Sequence, residues 1–557
     1  METIPQILAH GVRTFGDRLA LRKHGDAGAP AYTYRGLGAH AAAVADRLAT
    51  CGVAKGTPVA LLCENRPEWA VAYFAIHLRG AVCVPIDARL KRAEIRGILR
   101  RSRAHLLLVS QPLAAAARDA ADGPRRVTIM TIEDLLAEAD SNTSPAVPAA
   151  SAPDVTGADT AVLSFTSGTT GASKAIVLTH RNLVSNAVAG TQWMDVGADD
   201  RLVSILPLNH LFEQTAGLLI PLIVGASVTY PGSLNPRSLL EAMRCCEATL
   251  VLMVPAMARL LRKRILSALR SEPRWKRLLF DAGRRVAPGA RHVGLRLDRV
   301  LFRQVHRAFG GGMRFFICGG APLDGRLARF FSQLGLPILE GYGLSEAAPV
   351  VSCNTLTHYA FGSVGKPLPG VEVRTRTPDG TGDGIGEICV RGPNVMAGYF
   401  EDTEATAAVL QDGWLATGDL GRVDEQGYLY VVGRLKDVIV SESGKNVYPA
   451  EIEAEIGLCP HVRETCVLGV RTGEGAGVDE EIVALVAVDD EALGPEHAAN
   501  CEDLLRDEIR GACARLADYK RPNRFGVWPG EFPRTTTLKV MKHEVRRRLG
   551  EVTLRPL

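Results

Sequence analysis

No C-x-x-C spacing occurs among the twelve cysteines, and a chain of 557 residues needs no disulfide staples to hold its core. That excludes zinc ribbons, thioredoxin-like redox pairs and small disulfide scaffolds, and leaves reduced thiols as the expectation. No basic stretch followed by an apolar core opens the sequence. METIPQILAHGVRTFGDR reads instead as a helix start, so a cytoplasmic protein is expected. Long apolar runs are scarce as well. The one sizeable uncharged tract, Gln214 to Pro236, is broken by Gly217, Pro221, Gly225, Pro231 and Gly232. A membrane span wants about 20 apolar residues in a row, so a buried helix followed by a strand is expected here. There is no internal repeat and no long low-complexity tract. No nucleic-acid module accompanies the basic residues, so a nucleic-acid partner is not expected.

What is present is an ordinary globular composition, 46% hydrophobic and 23% charged, at a length that implies more than one core. The net charge of +4 is unevenly placed. Between Arg259 and Arg314 stand 16 Lys/Arg and 3 Asp/Glu, a local +13, which leaves −9 for the rest. Within this segment LRLDRVLFRQVHRAF is expected to form one amphipathic helix. Leu297, Val300, Leu301 and Val305 share its apolar face, and Arg299, Arg303 and Arg307 the other. A solvated face, a surface for anionic membrane lipid and a site for a polyphosphate-bearing partner all remain open for it.

The first 430 or so residues alternate short apolar runs with helical patterns. VALLCENR, AHLLLVSQ, TAVLSFTSG, RLVSILPL, TLVLMVP and MRFFICGG each read as a buried strand ending in a loop, so an α/β sheet fold is expected. Functional loops in such sheets lie beyond the carboxyl ends of strands, where TSGTTG and CGGAPLD fall. DSNTSPAVPAASAPDVTG (140–157) reads as a linker or surface loop. After Pro367 short strands with Gly/Asp turns predict a small β-rich region, about 366–434. Beyond Arg434 an α/β mixture returns. The expectation is a large domain over 1–435 with several subdomains, and a smaller α/β domain over 436–557.

The stretch LSFTSGTTGASKAIVLTH gathers Thr166, Ser167, Gly168, Thr169, Thr170 and Gly171 with Lys174 behind them. Hydroxyls, close-approach glycines and a cation suit phosphate binding. Ser173 and Ala175 nevertheless break the G-x-x-x-x-G-K-[ST] pattern, and a plain Ser/Thr/Gly turn stays open on this stretch alone. Thr179 is a natural helix N-cap. Downstream, Glu346 follows the Gly341/Gly343 turn, where a carboxylate suits Mg²⁺ beside phosphates. Asp419 follows Gly418, placed for a ribose diol, and Arg434 suits ribose or phosphate. Taken singly, each of these is as readily a cap or a surface charge.

Together TSGTTGASK, PLNHLFEQ, CGGAPLD, EGYGLSE, GWLATGD, GYLYVVGRLKDVIVSESGKNVYPAEIE and PRTTTLKVMK, spread from Thr166 to Lys542, resemble the adenylate-forming (AMP-binding) enzyme superfamily. The resemblance implies a large N-terminal domain and a mobile C-terminal one hinged at Lys436. It also implies two half-reactions. A carboxylate attacks the α-phosphorus of ATP and releases pyrophosphate, and a thiol then takes the acyl group and releases AMP. Thr166–Gly171 and Lys174 are implied for the triphosphate, and Thr166 with Glu346 for Mg²⁺. Gly320, Ala321, Pro322, Glu340, Gly341, Tyr342 and Gly343 are implied for the adenine side, and Ser345 for the α-phosphate. Asp419 and Arg434 are implied for the ribose, Lys436 is implied as a further cofactor-binding residue, and Lys539 is implied for the substrate carboxylate and α-phosphate, with Lys542 as its neighbouring rival. His210, otherwise a buried core histidine, matches an aromatic gate.

PLNHLFEQ, TLVLMVPAMARLL and TLKVMK are similar to the long-chain branch of fatty acyl-CoA synthetases. That implies a medium- to long-chain fatty acid and coenzyme A as acceptor, with peripheral contact at an anionic inner membrane face through Arg299, Arg303 and Arg307. A phosphopantetheine carrier protein is the alternative acceptor, and a non-enzymatic lipid-binding protein a lesser reading.

Overall fold

The computed structural model describes residues 1–25, 28, 30–122, 127–142, 154–165, 174–292, 294–377, 384–441, 445–472, 479–497, 500–535 and 539–557. The described residues fall into two compact units. One runs from the N-terminus to Val373 and adds Val390–Leu415. The other holds Arg374–Cys389 and Ala416–Leu557. The fold is mixed α/β throughout.

Two large sheets organise the first unit. In the seven-stranded one, Pro58–Leu62 is flanked by Val82–Ile86 and Leu106–Val109, both parallel to it. Thr160–Phe165 follows beside Val82–Ile86, then Ala175–Thr179 runs antiparallel, and Gly398–Tyr399 closes that edge. In the nine-stranded sheet six neighbours run parallel, in the order Ile338–Gly343, Phe315–Cys318, Leu250–Met253, Arg201–Val203, Ser227–Tyr230, Leu19–Lys23. Strands such as LVLM and FFIC are buried at every position, as parallel strands covered on both faces must be. The expected strands are thus present.

Helix Pro67–Leu78 is buried from Pro67 through His77, with Trp69, Tyr73, Phe74 and Ile76 fully enclosed. Each such side chain contributes about 1.5–3 kcal/mol by leaving water, so the helix holds its place by packing rather than by a polar outer face. Thr179 caps helix His180–Trp193 as expected, its hydroxyl accepting from Asn182 N. The uncharged tract forms the helical turns Glu213–Leu219 and Ile220–Val224 and the strand Ser227–Tyr230. Among the described residues no helix is long and apolar enough to cross a membrane. Most of the 140–157 stretch lies outside the described residues.

The basic segment corrects one expectation. LRLDRVLFRQVHRAF forms two short helices, Leu297–Leu301 and Arg303–Ala308, broken at Phe302. Phe302, Asp298 and His306 take the buried positions, and Asp298 is held there by Arg291 and Arg296. Val300, expected on the apolar face, is 71% exposed. Arg299 turns inward and donates to the carbonyls of Gly311 and Met313. Burying one bulky aromatic ring at the break wins over keeping a regular helix with a thin apolar stripe.

In the second unit, Val462–Thr472 and Asp479–Val488 form a long antiparallel hairpin, with Arg524–Val527 parallel to Asp479–Val488 and Arg555–Pro556 at the edge. Ile452 and Ile456 of helix Pro449–Ile456 and Leu505 and Ile509 of helix Cys501–Cys513 close its core.

Candidate active site

Thr166, Ser167, Gly168, Thr169, Thr170 and Gly171 lie outside the described residues. Lys174, at the end of that loop, is exposed, with its ammonium 4.6 Å from the centroid of the Tyr399 ring. Two loops of the first unit set His210. Asn65, beyond strand Pro58–Leu62, donates from Nδ2 to Leu206 O (2.6 Å) and accepts at Oδ1 from Leu208 N (2.9 Å). This ties down the turn that ends with His210 N donating to Pro207 O. Asp87, beyond strand Val82–Ile86, places Oδ2 3.5 Å from His210 Nε2. It also accepts from Arg89, at Oδ1 from the backbone N (2.9 Å) and Nε (3.1 Å) and at Oδ2 from the guanidinium (3.0 Å). Burial pushes the Asp87 carboxyl up, but the bonds from His210 and Arg89 outweigh it and hold the group well below the usual carboxylate range. Three residues past His210, Glu213 is fully buried in a π-helical turn, and burial pushes its carboxyl up to about 8.

Strand Ile338–Gly343 carries the next group. Glu340 is buried and accepts from Leu323 N at 3.0 Å, and burial raises its carboxyl to about 8. Gly341 and Tyr342 continue the strand opposite Cys353 and Ser352. Gly343 admits no side chain, since a Cβ there would lie 2.0 Å from Pro349 O. Gly320 turns the preceding loop at φ +85°, a conformation that favours glycine, and leads into Ala321 and Pro322 at the surface. Ser345 and Glu346 stand in the single turn Ser345–Ala347, braced by Asn394 Nδ2 donating to Ala347 O (2.9 Å) and Met396 N donating to Glu346 O (2.8 Å). Glu346 Oε1 accepts the Tyr399 hydroxyl at 3.0 Å. Among the described residues no cation pairs with this carboxylate, and no group of three or more His, Cys, Asp or Glu could hold a metal. A lone, half-exposed carboxylate with a free side fits Mg²⁺ that arrives on nucleotide phosphates, a cation bound through one or two carboxylates plus substrate oxygens.

The second unit brings the remaining residues together. Asp419 and Arg434 face each other across the pair Trp414–Val423 and Leu429–Arg434, joined at 3.0 Å. Lys436 sits in the next turn, where burial and then Arg434 lower its ammonium from the usual value. Lys539 closes a turn in which Thr535 N donates to Lys539 O (2.8 Å) and Lys539 N to Thr535 Oγ1 (3.2 Å). The residue is exposed overall, yet its ammonium is crowded. Burial first, then Arg434 and Lys436, lower it to about 8, against the pull of Asp419 and Asp437. Lys542 is spoken for, with its ammonium 2.8 Å from Glu453 and donating to Val467 O.

Sequence reading missed Asp87, Asn65 and Tyr399.

Residues 8–400 match the family of AMP-binding enzymes. The chain belongs to that family. This AMP-binding enzyme is 33% identical over 530 residues to a feruloyl-CoA synthase of Amycolatopsis, covering 94% of this chain and 95% of that protein. It is 31% identical over 526 residues, 92% of each chain, to the long-chain-fatty-acid–CoA ligase FadD13 of Mycobacterium tuberculosis. Among solved structures it resembles the o-succinylbenzoate coenzyme A synthetase of Bacillus subtilis in complex with ATP and magnesium ion, with a TM-score of 0.73, 26% identity and coverage of 97% and 99%. The fold is therefore that of adenylate-forming acid–CoA ligases, with ATP and Mg²⁺ as cofactors and coenzyme A as the acceptor of that class.

Proposed function

We propose that this AMP-binding enzyme activates a medium- to long-chain fatty acid as its acyl-adenylate and passes the acyl group to coenzyme A. The observation that carries the reading is the arrangement around Lys539. Its ammonium stands among Arg434, Asp419, Asp437 and Lys436, while neighbouring Lys542 is consumed by Glu453. Carboxylate and triphosphate are both anions, so joining them needs positioned cations and donors more than a base. In this reading Lys539 spans the substrate carboxylate and the α-phosphate, Ser345 meets the α-phosphate, and Asp419 and Arg434 hold the ribose. Glu340 to Gly343 with Gly320, Ala321 and Pro322 line the adenine. Glu346 and Thr166 hold Mg²⁺, and Lys174 with the loop Thr166–Gly171 takes the β- and γ-phosphates. His210, oriented by Asp87, flanks the acyl group. Residues 1–435 are the adenylating domain and 436–557 the lid, with the hinge at Lys436. Mg²⁺, when bound, neutralises phosphate charge and makes pyrophosphate a better leaving group.

The experiment is ATP–pyrophosphate exchange across fatty acids of rising chain length and a cinnamic-type acid, followed by AMP release with coenzyme A or with a holo carrier protein. Exchange driven by fatty acid, with AMP released by coenzyme A, is expected. Preference for the aromatic acid favours the feruloyl-type reading that the 33% identity to a feruloyl-CoA synthase supports. AMP release only with the carrier moves the acceptor to a protein.

The same reading includes contact with an anionic lipid surface, where Arg303 and Arg307 remain exposed while Arg299 is held by backbone carbonyls. Helix Arg274–His292 turns Trp275, Leu278, Leu279 and Val286 to solvent, with Leu278 71% exposed, between Arg274, Lys276 and Arg277. Trp and Leu flanked by cations suit the interface of a negatively charged bilayer. Sedimentation with phosphatidylglycerol vesicles but not phosphatidylcholine ones, weakened by Leu278→Asp, is expected. Equal binding to both vesicle types, or to neither, contradicts it.

A further inference from the structure

Lys174 and Glu346 are a cation and an anion in reach of the same side chain, yet neither has an ion-pair partner among the described residues. Tyr399 stands between them. Its hydroxyl donates to Glu346 Oε1 at 3.0 Å, and its ring face carries the Lys174 ammonium at 4.6 Å. We propose that Tyr399 is a positioning residue that holds Glu346 and Lys174 apart, keeping the carboxylate for the metal and the ammonium for the phosphates of a metal–triphosphate complex. The inference rests on the reading of Glu346 as the metal carboxylate.

The backbone makes Tyr399 a fixed point. Gly398–Tyr399 pairs with the strand that begins just after Lys174, in the register Gly398↔Val177 and Tyr399↔Ile176. Ala397 N donates to Val177 O and Phe400 N to Ala175 O. Tyr399 N donates to Thr406 Oγ1 at 2.9 Å. Gly398, at φ +147°, bends the chain where a Cβ would press on Thr406 at 2.9 Å. On the other side, Met396 N donates to Glu346 O. One short segment thus positions both the carboxylate-bearing turn and the edge from which Lys174 departs.

The side-chain chemistry suits a spacer. A phenol is a neutral hydrogen-bond donor across the working pH range. A hydrogen bond to one carboxylate oxygen orients that group and leaves its other side open, the arrangement by which outer-shell partners aim a metal ligand. The ring face attracts the ammonium weakly and through no donor, so a triphosphate can take Lys174 without breaking a salt bridge. A direct Lys174–Glu346 ion pair would instead neutralise both groups before nucleotide arrives.

The test is calorimetric binding of ATP with Mg²⁺ and of ATP with EDTA, in the absence of any acid substrate, on the full chain. Tyr399→Phe keeps the ring under Lys174 and removes the hold on Glu346. It is expected to weaken MgATP binding about tenfold while leaving metal-free ATP binding unchanged. Tyr399→Leu removes the ring as well and is expected to weaken metal-free ATP too. Wild-type MgATP affinity in Tyr399→Phe, or an equal loss with and without metal, overturns the proposal, because a merely structural tyrosine moves both arms together. Glu346→Gln separates the two layers. If it keeps the full metal dependence, the metal reading of Glu346 fails. If it loses that dependence and Tyr399→Phe does not, the role of Tyr399 alone fails.

Discussion

Two lysines three positions apart, Lys539 and Lys542, look interchangeable in the sequence and are not. Lys542 is neutralised by Glu453, and that partner raises its ammonium. For Lys539, burial together with Arg434 and Lys436 outweighs Asp419 and Asp437 and lowers its ammonium to about 8. A lysine that must be charged to bridge two anions is lost from the active form as pH rises through its pKa, so kcat/KM for adenylation is expected to fall on an alkaline limb centred near pH 8. Lys539→Arg, whose guanidinium stays protonated, should remove that limb whatever its absolute rate. A limb that persists in Lys539→Arg assigns it to another group, such as the raised carboxyls of Glu213 or Glu340. The sequence singles out Lys539 because its motif is contiguous. It does not single out Asp87 and Tyr399, since each acts on a partner far along the chain, Asp87 on His210 and Tyr399 on Glu346. No local pattern announces such a pairing.

At the scale of elements, helix Pro67–Leu78 and helix His180–Trp193 bring two histidines together in the core, ring centroids 5.2 Å apart. His180 Nδ1 accepts from Ile4 N, while among the described residues neither ring nitrogen of His77 has a partner. Burial, and for His77 also the nearby His180, lower both, His180 to about 4. Their folded values lie below the unfolded 6.5, so the unfolded chain binds more protons in acid. The stability these neutral rings permit is present above about pH 6.5 and drains away as pH falls toward 4. Near pH 5 this costs about 2 kcal/mol for His180, and His77 acts in the same direction. His77→Leu should therefore flatten the loss of Tm between pH 7.5 and pH 5. An unchanged slope would mean that His77 is protonated in the folded protein. The strands themselves were readable from their apolar runs, because a strand covered on both faces needs only to be apolar. The break at Phe302 was not, because the helical period of that segment is sound locally. Only the tertiary fit of one phenylalanine and the buried Asp298 decides that the helix stops there.

At the scale of the whole molecule, the uneven charge that the sequence displays, +13 between Arg259 and Arg314 against −9 elsewhere, becomes a set of surface helices whose apolar side chains face solvent alongside their cations. Position along the chain foretold that this segment is special, but not which side chains it exposes. The reaction class follows from the family and from the residues gathered in each unit. The identity of the acid does not, since relatives of nearly equal similarity carry the names of a feruloyl and a long-chain fatty acid ligase. The central claim is that this chain forms an acyl-adenylate from a fatty acid through Lys539. ATP–pyrophosphate exchange, with and without fatty acid, in the wild type and in Lys539→Ala tests it most directly. Exchange is expected only when fatty acid is added, and is expected to be abolished in Lys539→Ala while ATP still binds. Exchange that needs no acid, or that survives in Lys539→Ala, would contradict it.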